Sequence, residues 1–153
     1  MPLYVVQHGK SLPKADDPEK GLSEEGIRET QLIAKVAKGY GVAVSRIVHS
    51  GKKRARQTAE RMGTALCPDK EIQKLSGMNP LDDVAAFTEK LPIDQNIMLV
   101  GHLPFLEKLI GLLVCGDATR TVFKLQNSGI VCLDKASDIE NAVIRWALMP
   151  NVG

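Results

Sequence analysis

With 153 residues, 20 Lys and Arg against 18 Asp and Glu, and a hydrophobic share of 44%, the chain is sized for one compact domain, which removes roughly 70% of its unfolded surface from water. A net charge of +2 and six scattered aromatics (Tyr4, Tyr40, Phe87, Phe105, Phe123, Trp146) argue against a general affinity for nucleic acid or an anionic membrane, and no apolar run reaches the roughly 20 residues that span a bilayer. Three widely spaced cysteines, Cys67, Cys115 and Cys132, suit neither a disulfide framework nor a zinc ribbon, and Met1 to Val6 lacks the basic leader and cleavage site of a secretory signal.

Leu3 to Val6 is a short β-rich run that halts at Gln7-His8-Gly9. Residues 12–21 hold two prolines and no periodicity, which predicts a loop. Ser23 is placed to cap a helix whose first turn holds Glu24 and Glu25, where the helix dipole favours negative charge. Ile27, Gln31, Ile33, Ala34, Val36 and Ala37 make its face, and Gly39 and Gly41 end it. Arg46 to His49 predicts a second strand, and Lys52 to Leu66 a second helix closed by Cys67-Pro68. Glu71 to Leu75 is a weaker strand, followed after Pro80 by a helix over about Leu81 to Leu91.

Asn96 to Val100 is the most apolar strand, as a central parallel strand should be. After Gly101-His102-Leu103-Pro104 comes an apolar helix, Phe105 to Val114, whose Phe105, Leu106, Leu109, Ile110, Leu112 and Leu113 are expected in the core. Gly129 to Leu133 and Ala142 to Leu148 predict strands joined as a hairpin across Asp134 to Asn141. Strands alternating with helices imply right-handed crossovers. The expected class is α/β: a three-layer α/β/α sandwich on a mostly parallel, mixed sheet with a C-terminal antiparallel hairpin. Residues 1–153 are expected to form a single cytoplasmic domain, with all three cysteines buried and inert.

In an open α/β sheet, ligands bind at the carboxyl ends of the strands. All three histidines, His8, His49 and His102, fall at such ends. His8 and His102 each sit beside a glycine, which lets backbone or ligand approach closely, and are read as functional. His49 precedes its turn and is read as structural. Neither a Gly-x-x-x-x-Gly-Lys-Ser/Thr loop nor a Gly-x-Gly-x-x-Gly turn is present, so nucleotide cradles lack support. A cysteine phosphatase needs Arg six residues after its Cys, but Gln73, Thr121 and Asp138 stand there. Metal-ligand spacing and a Gly-x-Ser-x-Gly elbow are also missing. What remains is histidine as nucleophile: neutral imidazole attacks well near its free pKa of about 6.5. Arg54 at a helix start is placed to meet phosphoryl oxygens.

Four segments resemble the histidine phosphatases, the phosphoglycerate mutase-like superfamily, and among them the small bacterial phosphohistidine phosphatases of SixA type. They are Leu22-Ser23-Glu24-Glu25-Gly26, Ser50 to Ala59 (Ser-Gly-Lys-Lys-Arg-Ala-Arg-Gln-Thr-Ala), Val100 to Pro104, and Asn127-Ser128-Gly129. The resemblance implies a phosphoglycerate mutase-like fold and a phosphatase without metal or other cofactor. Carried over by position, His8 becomes transiently phosphorylated, Arg54 binds the phosphoryl oxygens and His102 donates to them. The Gly9 backbone orients the His8 ring. The implied catalytic set is His8, Arg54 and His102, and the phosphate-binding set is Gln7, Gly9, Ser11, Arg54, His102 and Leu103.

One departure stands out: the family's Arg-His-Gly is Gln7-His8-Gly9 here. Glutamine keeps amide donors but loses the charge and the bidentate fork. Either Lys10 or Lys53 supplies the charge, or the enzyme is slow, or the site binds phosphate without turnover; the expectation is reduced but real activity. The chain has little room for a lid carrying a general acid. Only Asp82 and Asp83 follow Leu75 to Leu81, and Asp16, Asp17 and Glu19 read as solvated loop charges. An open site suits phosphohistidine on a signalling or phosphotransfer protein, since imidazole needs less acid assistance than an alkoxide. A broad phosphomonoesterase for small esters and a phosphate- or phosphoprotein-binding module are the alternatives. Lys52-Lys53-Arg54-Ala55-Arg56 reads as a helical first turn with one functional Arg, and no nucleic acid or membrane partner is expected.

Overall fold

The computed structural model describes residues 2–91, 95–135 and 140–152. Its elements in chain order are β1 (Leu3–Gln7), α1 (Glu24–Gly39), β2 (Arg46–His49), α2 (Lys53–Leu66), β3 (Gln73–Lys74), α3 (Val84–Lys90), β4 (Ile97–Gly101), α4 (Phe105–Cys115), β5 (Ile130–Asp134) and β6 (Val143–Leu148). The strands form one sheet in the order β3-β2-β4-β1-β5-β6. The four strands from β3 to β1 are parallel, while β5 runs antiparallel to β1 and β6 antiparallel to β5. This is the mixed α/β sheet that the chain order predicted.

Side chains that alternate across each strand feed two separate cores, as a pleat of period two requires. Leu3, Val5, Ile97 and Leu99 face one side, where they pack with Val84 and Phe87 of α3 and Phe105, Leu106, Leu109 and Ile110 of α4. Tyr4, Val6, Met98 and Val100 face the other, against Ile33, Ala34 and Ala37 of α1 and Ala55, Ala59 and Met62 of α2. Burial on both faces explains why β4 reads as an unbroken apolar run. Two cores divided by one sheet make the three expected layers. Leu112 and Leu113 are only partly buried at the edge of the first core.

Several boundaries differ from expectation. Helix α3 begins at Val84, not Leu81, because the Asp83 carboxylate accepts N–H bonds from Ala85 and Ala86 and so caps the helix there. Leu81 is left 85% exposed in a turn that Asp82 closes by accepting the Asn79 N–H. The weak third strand shrinks to Gln73–Lys74, both exposed at the sheet edge. Ser23 caps α1 as expected, its hydroxyl accepting the Gly26 N–H at 3.1 Å. Of the cysteines, Cys67 and Cys132 are buried but Cys115 is exposed at the end of α4, contrary to expectation. Part of the Asp134–Asn141 connection, residues 136–139, lies outside the described residues.

Candidate active site

The carboxyl ends of β1, β2 and β4 are adjacent in the sheet, so the segments that follow them meet above one edge. His8 and His102 come together there, with ring centroids 5.0 Å apart. Arg54, in the first turn of α2, donates from Nε to His8 Nε2 at 3.3 Å. The three residues expected to be catalytic therefore lie together in one cluster. His49 is buried elsewhere, its Nδ1 accepting the Gly51 N–H at 3.0 Å, which is the structural part expected of it.

The His8 ring is fixed from behind. Its Nδ1 lies 2.7 Å from the carbonyl oxygen of Gly9, which only accepts, so Nδ1 carries the proton and Nε2 keeps the lone pair. Gly9 in turn donates its N–H to Thr58 Oγ1 at 2.9 Å, and Thr58 donates to the Arg54 carbonyl at 2.8 Å. One hydroxyl thus locks the loop of His8 to the turn of Arg54. Glycine is required at position 9: a Cβ would stand 2.8 Å from Thr30 Oγ1 and 3.1 Å from the Gly26 carbonyl. Asn127 Nδ2 donates to the His8 carbonyl at 2.8 Å, and Ser128 donates its N–H to the Gln7 carbonyl at 2.9 Å. Ser128 and Thr30 hydroxyls meet at 2.7 Å beneath them.

His102 is 2% exposed, with Nε2 2.5 Å from Ser50 Oγ and Nδ1 without a hydrogen-bond partner among the described residues. Burial is the first cause that pushes the His8 pKa down to about 4 and that of His102 to about 3. For His8 the bond to Gly9 works the other way, while the charges of Arg54 and Lys20 add to the lowering. For His102 the secondary causes are His8, Arg54 and Lys52. Both rings are therefore neutral near pH 7, the state that a nucleophilic imidazole needs.

The remaining expected residues fall in two places. Gln7 and Leu103 line an open cavity of about 620 Å³ beside His8, together with Lys10, Asn127 and Asn151. The Gln7 Oε1 atom is buried and makes no hydrogen bond among the described residues. Ser11 pairs through its backbone with Leu22 and closes the neck of the 12–21 loop, and among the described residues no hydrogen bond joins it to His8. Neither lysine proposed to replace the charge at position 7 is free. Lys10 Nζ lies 2.8 Å from Glu25 and 3.2 Å from Glu29, and Lys53 Nζ lies 2.8 Å from Asp17. Asp17 is correspondingly no solvated loop charge but a structural anchor that also accepts the N–H groups of Glu19 and Gly21. Asp82 and Asp83 are taken up by the turn and the cap before and at the start of α3.

Ser50, Thr58 and Asn127 received no role from sequence. Their signal was spacing: Ser50 and Thr58 stand four residues before and after Arg54, and a helical i, i+4 step places Thr58 directly on the turn below it.

The model of the histidine phosphatase superfamily (branch 1) matches residues 3–82, over half of the chain. The chain belongs to that superfamily. It is 28% identical to the phosphohistidine phosphatase SixA of Escherichia coli (strain K12), over 98% of this chain and 94% of that protein. It is also 32% identical to an uncharacterized protein of Picosynechococcus sp., over 87% of this chain and 84% of that one. The solved structure of the protein histidine phosphatase SixA complexed with tungstate superposes with a TM-score of 0.81 at 25% identity, covering 98% and 97% of the two chains. The α-ribazole phosphatase of Shigella flexneri shares the fold alone, at 15% identity and a TM-score of 0.72 over 100% and 98% of the chains. As a histidine phosphatase superfamily member the chain is a phosphatase with the phosphoglycerate mutase-like fold. Among the described residues no helix is long and apolar enough to cross a membrane.

Proposed function

We propose that the chain is a cytoplasmic, metal-independent phosphohistidine phosphatase, one domain over residues 1–153, working through phosphorylated His8. The observation that carries this reading is the pinned tautomer: Nδ1 bonded to the Gly9 carbonyl and Nε2 presented to Arg54. In the first step His8 Nε2 forms a bond to phosphorus as the bond to the substrate's leaving nitrogen breaks. The imidazole leaves with that electron pair and takes a proton from solvent. Arg54 holds the phosphoryl oxygens while charge develops on them. The approach of the phosphoryl dianion also raises the pKa of His102, whose ring lies 5.0 Å from His8, and so favours its taking a proton from solvent to become the imidazolium, the stronger donor. Water then attacks phosphorus, the N–P bond breaks, and inorganic phosphate departs from a neutral His8.

The leaving group is inferred from what surrounds the rings. The charged groups acting on them are cations, Arg54 with Lys20 and Lys52, and the nearby aspartates serve structural bonds. Such a site offers an alkoxide no acid, whereas imidazole needs little. A phosphohistidine peptide should therefore be hydrolysed at least about 10²-fold faster in kcat/KM than a phosphoserine peptide of the same sequence. Equal rates would favour the broad phosphomonoesterase instead. The reading as a binding module without turnover rests on Gln7, where the superfamily's guanidinium is missing. Phosphate bound tightly, with neither peptide hydrolysed, is its signature.

Neutral histidines set the pH response. Both folded pKa values lie below the unfolded value of about 6.5, so the unfolded chain binds more protons between pH 6.5 and 4. The stability that neutral rings contribute is complete above pH 6.5 and is lost as pH falls towards 4. Ring proton shifts measured by NMR should still report neutral His8 and His102 at pH 5. Titration of both near 6.5 would contradict the buried site.

A further inference from the structure

A phosphoryl dianion between His8 and Arg54 carries one negative charge more than the guanidinium neutralises. Gln7 supplies none, and Lys10 and Lys53 are committed to Glu25, Glu29, Asp17 and Glu19. Two other lysines near the rings, Lys20 and Lys52, make no ion pair among the described residues. Lys52 acts on His102, whereas the positive charge of Lys20 acts on the His8 ring, where the phosphoryl group is to be held.

The backbone holds Lys20 in place. Its φ of 52° is left-handed, a conformation that non-glycine residues keep only where their surroundings fix them and that gathers at functional sites. Here the fixing is explicit. The Lys20 N–H donates to the Asp17 carbonyl at 2.9 Å, and the Asp17 carboxylate takes the N–H groups of Glu19 and Gly21 and the ammonium of Lys53. The next residue's N–H, from Leu22, donates to Gln57 Oε1 at 2.7 Å. Lys53 and Gln57 flank Arg54 at the start of α2, so the loop bearing Lys20 is pinned to the turn that presents Arg54. Gly21 makes this close approach possible, since a Cβ there would stand 2.8 Å from Lys53 Cε and 2.9 Å from Asp17 Oδ2.

We propose that Lys20 is a second phosphoryl-binding cation of this site, replacing the charge that Gln7 lacks, with Asp17 as the clamp that positions its loop. The proposal deepens the phosphatase reading and rests on it for the chemistry, but not for the binding of phosphate. Its test is titration of the intact protein with inorganic phosphate by calorimetry, beside kcat/KM on a phosphohistidine peptide. Lys20→Met should weaken phosphate binding about 10- to 100-fold, the scale of a charge-assisted hydrogen bond, while Lys20→Arg stays near wild type. Lys14→Met, an exposed charge on the same loop, should change binding by less than about twofold. Adding Gln7→Arg to Lys20→Met should restore most of the loss. Equal behaviour of the Lys20→Met and Lys14→Met variants, or no measurable phosphate binding by the wild type, overturns the assignment. A wild type that fails to hydrolyse the peptide, with binding still lost in Lys20→Met, would sink the phosphatase reading and leave Lys20 standing.

Discussion

Replacing His8 by alanine is expected to lower phosphohistidine hydrolysis by at least about 10⁴-fold, the scale on which removal of a nucleophile acts. The fold should survive. His8 makes two ring bonds, one to Gly9 and a longer one accepted from Arg54, and its backbone carbonyl bond from Asn127 does not depend on the side chain. Circular dichroism and a melting curve close to wild type, with phosphate release at background, are the expected pair of results. Substantial turnover by the variant would mean that some other group, or water directly, attacks phosphorus.

The second large effect is expected at Arg54. Arg54→Met should reduce kcat/KM by about 10²–10³, the usual cost of one donor that meets developing charge. The loss should be steep here because Gln7 leaves Arg54 as the one guanidinium in contact with His8 among the described residues. The substitution also removes a cation that helps to lower the His8 pKa. That pKa should rise, but only partway to 6.5, because burial is the larger cause. Steady-state kinetics and a ring titration on the same variant check both halves. An unchanged rate would place the phosphoryl group away from Arg54. Lys should substitute poorly, since it offers a point charge without the fork.

The fold was legible wherever burial on both faces wrote an unbroken apolar run. β1 and β4 are such cases, with Val5, Val6, Leu99 and Val100 fully buried. It was least legible where local chemistry competed with pattern. Leu81 extends the apolar period of α3 backwards, but Asp83 captures two free N–H groups and starts the helix later. At the sheet edge, Gln73 and Lys74 bury nothing, so little distinguishes that strand from a loop. Cys115 misled because cysteine is usually buried, whereas the last residue of α4 points away from the core that Leu112 and Leu113 still touch.

The site divides in the same way. His8 and His102 were expected together because both fall at strand ends beside a glycine, and the resemblance joined Arg54, at the start of α2, to them; the fold does bring the three side chains together. Ser50, Thr58 and Asn127, which hold them, were not, because hydroxyls and amides serve turns and caps equally well. The charges were the hardest to read. Sequence gives Lys10, Lys20 and Lys53 the same formal charge, yet long-range pairing with Glu25, Glu29 and Asp17 takes up two of them and leaves Lys20. Only the folded chain shows which of these three lysines makes no ion pair among the described residues.

The central claim, a covalent intermediate on His8 Nε2, is tested most directly by rapid-quench trapping with a phosphohistidine peptide carrying labelled phosphate. The account predicts a transient label that is stable in base, labile in acid, located on His8 by peptide mapping and absent from His8→Ala. Turnover of that peptide with no label on the protein at any time, or with the label on His102, would contradict it.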